Sequence, residues 1–187
     1  MCSIFQILEY GTPRRYHRDM LKAQDVVVLL KIAVSPEGWT FAQLGDELGM
    51  SASAVHRSLD RANASGLYDA RRRKVKVPEL KEFLKHGVRY AFPPVWRGEG
   101  RGMPTAWGAE PLAGEIASSG RNPPAWPDAR GKVRGIILDP LHPSVPQAAR
   151  KDSSLYRLLA VVDAIRIGGA RERGIAALQL DELLIGG

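Results

Sequence analysis

Apolar positions along this chain follow distinct rhythms, and each rhythm predicts an element. Between Leu21 and Val34 they are nearly continuous: Val26, Val27, Leu29, Leu30, Ile32 and Ala33 predict a helix buried on all sides. A turn follows at Ser35-Pro36-Glu37-Gly38. From Phe41 to Ala62 apolar residues recur every three or four positions, in two groups. Phe41, Leu44 and Leu48 form the first, with Thr40 placed to cap the helix and Gly49 to end it in a left-handed conformation. Ala54, Val55, Leu59 and Ala62 form the second, with Ser51 as its cap and Gly66 as its close. Ser53, His56, Arg57, Asp60 and Arg61 fall on the opposite, polar side. Gly45, lacking a Cβ, lets the second helix cross the first closely, and Val55 is the expected apolar plug between them.

After Gly66 the rhythm shortens. Leu67 to Ala70 reads as a strand, Arg71, Arg72, Arg73 and Lys74 as a tip, and Val75-Lys76-Val77 as a returning strand of alternating character. Pro78 suits the first turn of another helix. From Glu79 to about Tyr90 that helix buries Leu80, Phe83, Leu84 and Val88.

Beyond Phe92 the pattern changes again. Residues 93–146 hold 10 of the 13 prolines together with Trp96, Trp107 and Trp126. The prolines exclude helix over most of this stretch, and the tryptophans argue for order. The expectation is an irregular segment draped over the body, with one strand at Lys132 to Leu138. Two apolar helices end the chain, Leu155 to Ile167 capped by Ser153 or Ser154, and Ala170 to Ile185 after Gly168-Gly169. They are expected to close a core or to form a dimer. At the other end, Met1 to Tyr10 reads as a short strand or helix. Arg14, Arg15, His17, Arg18 and Lys22 read as a solvated lead-in or an arm. The fold class is therefore mainly α with a small β-hairpin (α+β), in three regions: 1–92, 93–150 and 151–187.

Charge sharpens this picture. The chain has 27 basic and 20 acidic residues in 187, a net charge of +7. Up to Phe92 there are 15 basic and 10 acidic residues, and beyond it 12 and 10, so the excess sits mainly in the first half. That balance suits a polyanionic partner. The single cysteine, Cys2, permits no intramolecular disulfide. The histidines are scattered, and no Cys/His cluster has metal-ligand spacing. No paired carboxylates, glycine-rich phosphate loop or nucleophile motif stands out, so no catalytic residue, metal or cofactor is assigned and an enzyme is not expected. No apolar run is long enough to span a bilayer, and the N-terminus lacks the pattern of a secretory signal. A cytoplasmic protein is expected.

The stretch LGDELGMSASAVHRSLDRANASGL resembles the DNA-binding core of winged helix-turn-helix transcriptional regulators, MarR-like in the broad sense. The resemblance covers roughly residues 21–92. It implies a recognition helix over about 51–65 in the major groove of double-stranded DNA, with Ser51, Ser53, His56, Arg57 and Arg61 near bases and phosphates. It also implies a basic wing in which Arg71, Arg72, Arg73, Lys74 and Lys76 lie along the backbone or the minor groove. A homodimer reading an inverted-repeat operator follows from the two-fold symmetry usual in such proteins. The alternative keeps the winged scaffold as a protein-interaction module, such as an autoregulatory antitoxin or a defence-system accessory, with a partner protein on the Pro/Trp-rich segment or the C-terminal helices.

Overall fold

The apolar run at the start of the chain folds as α1 (Ala23–Ala33), and Val26 to Leu30 are completely buried. The computed structural model describes residues 20–116 and 122–184. The expected element at Met1 to Tyr10 and the basic residues Arg14, Arg15, His17 and Arg18 lie outside the described residues, as does Ile185.

Two short helices follow, α2 (Phe41–Leu48) and α3 (Ala52–Ala64). Thr40 caps α2 reciprocally with Gln43: its hydroxyl accepts the Gln43 N–H, and the Gln43 side chain accepts the Thr40 N–H. Gly49 ends α2 with φ +67°, a conformation that glycine adopts without a Cβ penalty. The Ser51 hydroxyl accepts the Ala54 N–H and starts α3. A Cβ at Gly45 would lie 2.6 Å from the Met50 carbonyl oxygen, so the tight crossing requires glycine there. Val55 is fully buried at that junction.

The next unit is a minimal hairpin, β1 (Tyr68–Asp69) and β2 (Lys74–Val75), paired antiparallel. The Asp69 carboxylate accepts the N–H groups of Arg71 and Arg72, both at 3.0 Å, and Arg73 adopts φ +54° to complete the turn. Helix α4 (Val77–Glu82) continues through a π-turn at Phe83–Gly87 into α5 (Val88–Ala91). Leu80, Leu84 and Val88 face the core as expected.

Residues 93–146 depart from the expectation of an irregular segment with one strand. They form β3 (Trp96–Pro104), β4 (Pro124–Pro127) and β5 (Val133–Leu138), and only β5 is the predicted strand. β3 runs antiparallel to both others while β4 and β5 run parallel, so each strand pairs with the other two. Such tight closure needs glycine where backbones meet: a Cβ at Gly102 would sit 2.3 Å from the Trp126 carbonyl oxygen. The fold is thus mixed α+β, with a two-stranded hairpin and a small three-stranded sheet.

The chain ends with α6 (Val145–Lys151), α7 (Ser153–Ile167) and α8 (Ala170–Leu183). Asp152, not Ser153 or Ser154, caps α7 by accepting the Leu155 N–H. α7 is buried from Leu158 to Arg166 and packs against α1, α5, α6 and α8. One apolar cluster joins α1, α2, α3, α4, the sheet and α7, so side chains from all three predicted regions share a core.

Buried polar groups fix how these parts meet. The Asp163 carboxylate on α7 accepts from the Thr105 hydroxyl (2.9 Å), the Trp126 indole N–H (2.6 Å) and Arg166 (2.6 Å). Burial pushes this carboxyl above its ordinary range, against the opposing pull of Arg166, Trp126 and Thr105. Lys31 bridges Glu47 (2.5 Å) and Asp152 (2.6 Å), tying α1 to α2 and to the cap of α7. Lys85 and Lys81 reach Asp181 and hold α8 against the helix that follows the hairpin. Among the described residues, no helix is long and apolar enough to cross a membrane.

Candidate nucleic-acid interface

α3 has a buried back and a polar front. Val55, Ser58, Leu59, Arg61 and Ala62 are buried, whereas Ser51, Ser53, His56, Arg57 and Asp60 are exposed. Ser51 and Ser53 lie side by side at the helix start, their hydroxyls 3.1 Å apart. His56 pairs with Asp60 through Nδ1 at 3.0 Å, and its ring rests on Phe41 with centroids 5.2 Å apart. Among the described residues, Arg57 has no carboxylate within ion-pair distance.

The structure moves Arg61 off the polar front, contrary to its expected placement there. Its side chain is 8% exposed and forks onto the fully buried Asp25 of α1, Nε donating at 2.8 Å and Nη2 at 2.5 Å. Arg61 also donates to the Ser58 hydroxyl, which accepts in turn from Gln24. The Asp25 carboxylate holds the Arg61 guanidinium above its ordinary pKa, although burial works the other way. Arg61 therefore sets the angle at which α3 stands on α1 and cannot reach a ligand at the surface. The signal available in the sequence was Asp25, an acid in an otherwise apolar run, which demands a buried partner.

The hairpin cations also divide. Arg71 and Arg72 project from the turn, and the Arg72 side chain is 82% exposed. The Arg72 and Arg71 N–H groups hold the Asp69 carboxyl below its ordinary range. Arg73 turns back instead: its guanidinium stacks 4.3 Å from the Trp39 ring centroid and donates to the Trp39 carbonyl oxygen at 2.9 Å. It lies 5.9 Å from the Phe41 ring as well. Arg73 is therefore an anchor that fastens the hairpin to the start of α2, not a residue reaching freely from a tip. Lys74 pairs with Glu37 at 2.9 Å, both well exposed, and Lys76 is exposed beside the hairpin.

Trp39 and Phe41 thus join the two parts. Phe41 lies near both Arg73 of the hairpin and His56 of α3. The surface so assembled presents two hydroxyls, an imidazole and the cations Arg57, Arg71, Arg72 and Lys76. That set can bond to base edges and phosphates. Among the described residues, no group of three histidine, cysteine, aspartate or glutamate side chains could hold a metal ion. The chain matches no family model, no curated protein and no solved structure.

Proposed function

We propose that this protein is a sequence-specific, double-stranded DNA-binding transcriptional regulator with a winged helix-turn-helix. Its α3 enters the major groove, and its β1–β2 hairpin serves as the wing. The observation that carries this reading is the polarity of α3. A short helix, clamped from behind by Asp25 and Arg61, turns Ser51, Ser53, His56 and Arg57 outward beside a cationic turn. The hairpin is too short to reach far, so Arg71, Arg72 and Lys76 hold phosphates rather than probe deep into the minor groove. Lys74 joins them once Glu37 is displaced, and Arg73 positions the turn. The protein acts in the cytoplasm as a homodimer on an inverted repeat, with half-sites about one helical turn apart.

Affinity should fall steeply with salt, and base contacts from Ser53, His56 and Arg57 should choose the site. Replacing Arg71 and Arg72 by alanine is expected to weaken binding to all duplexes and to flatten its salt dependence. Undiminished affinity for every duplex would remove the wing assignment.

A second reading, a protein-interaction module on the same scaffold, is favoured by one specific feature. Tyr90, Val95 and Trp96 are 76%, 53% and 45% exposed within a seven-residue stretch running from α5 into β3. In this reading they receive a partner protein, and in the first they lie in the dimer contact. Size exclusion with and without duplex separates the two.

A further inference from the structure

A second cationic surface lies on the three-stranded sheet, on elements distinct from α3 and the hairpin. Gly100, Arg101, Arg130, Gly131, Lys132 and Arg134 surround an open concavity of about 570 Å³. The two arginines on the strands are direct cross-strand partners, Arg101 opposite Arg134. Like charges in direct register repel and weaken a sheet. Just past the end of β5 another arginine of β3 finds a carboxylate: Arg97 forks onto Asp139 at 2.6 and 2.8 Å. At the concavity nothing comparable occurs. Glu99 approaches Arg134 only to 3.8 Å, with both side chains more than half exposed. Among the described residues, Arg101, Arg130 and Lys132 have no carboxylate within ion-pair distance. Asp128 cannot serve them, since its side chain is only 7% exposed, accepts the Arg130 N–H at 2.9 Å and pairs with Arg150 of α6. It shapes the loop that displays Arg130 and Lys132.

We propose that this concavity binds the phosphodiester backbone of nucleic acid, as a site additional to α3 and the hairpin. An incoming phosphate supplies the negative charge that the Arg101–Arg134 register lacks. Three of the four cations are arginines, whose planar forks match phosphate oxygens. The lining includes one apolar side chain, the half-buried Val133. A protein partner would need an apolar centre to its contact, which this surface does not offer.

The test uses the full chain with Arg101→Gln, Arg130→Gln and Lys132→Gln together. Binding to a duplex and to a single strand of equal length and random sequence is titrated across salt concentrations. On the duplex, the slope of log Kd against log salt should fall by about 2 to 3, three contacts at roughly 0.9 each. A drop on the single strand alone also supports the site and identifies the form it takes. A variant with Arg101→Lys and Arg130→Lys keeps the charge and should keep the slope. If the triple variant does not fold, Arg130→Gln alone, on the exposed loop, carries the same test with a drop of about 0.9. Unchanged slopes on both nucleic acids would overturn the proposal. So would an equal loss of binding to poly-L-glutamate, which would assign the surface to an acidic protein. Alanine at Arg57, Arg71 and Arg72 leaves this contribution in place, so failure of the α3 reading is read separately.

Discussion

Asp25 and Arg61 are two charges kept inside the core by each other. A buried ion pair adds little net stability against apolar residues of the same size, but removing one partner strands the other in a low-dielectric site. Asp25→Ala is therefore expected to destabilise the protein by about 3 to 5 kcal/mol, while Asp25→Leu with Arg61→Met costs much less. Chemical denaturation of the two variants checks this. Equal losses would mean that the pair contributes through its own attraction. Arg57, four residues earlier on the same helix, should behave oppositely. Arg57→Ala leaves stability within about 0.5 kcal/mol, as surface substitutions do, and lowers duplex affinity.

At the scale of elements, the junction between α2 and α3 depends on a missing atom. Alanine is the better helix former, yet Gly45→Ala places a Cβ 2.6 Å from the Met50 carbonyl oxygen. Crowding of this kind costs about 1 to 3 kcal/mol, more than the roughly 0.5 to 1 kcal/mol that alanine gains inside a helix. A lower melting temperature for Gly45→Ala is the expected result, and a higher one would show that the helices separate freely.

The same junction shows what a sequence discloses. Thr40, Gly49 and Ser51 act on residues three or four positions away, so their capping roles follow from spacing alone. The placements of Arg61 and Arg73 do not follow from spacing. Their partners, Asp25 and Trp39, lie 36 and 34 residues away. Strand β3 was hidden for a related reason. Its sequence WRGEGRGMP has no apolar alternation: Gly102 serves close backbone approach, Gly100 makes room for the Ile137 side chain, and the pairing is supplied by β4 and β5.

The whole molecule is held through α7, and its cap carries a pH dependence. Burial alone would raise the Asp152 carboxyl, but Lys31 and the Leu155 N–H hold it below the ordinary value of 3.8. A depressed carboxyl contributes stability that is full above its unfolded value and is lost as pH falls through its folded value. Asp152→Asn should thus lower stability most at neutral pH, with the difference shrinking once pH drops below 3.8. Asp163 works in the opposite sense, since its carboxyl is raised by burial and its ionisation opposes folding as pH rises through its unfolded value. Thermal unfolding of the wild type and Asp152→Asn from neutral to acid checks the sign. A difference that grows on acidification would contradict the role given to Lys31.

In the function proposed above, the outward side of α3 reads a duplex. Selecting bound fragments from a random duplex pool tests it most directly, with the wild type and the double variant Ser53→Ala, Arg57→Ala run side by side. The wild type is expected to enrich an inverted repeat with half-sites about one helical turn apart, and the variant to lose that enrichment while remaining folded. Enrichment of the same sequence by both proteins, or of none by the wild type, would contradict it.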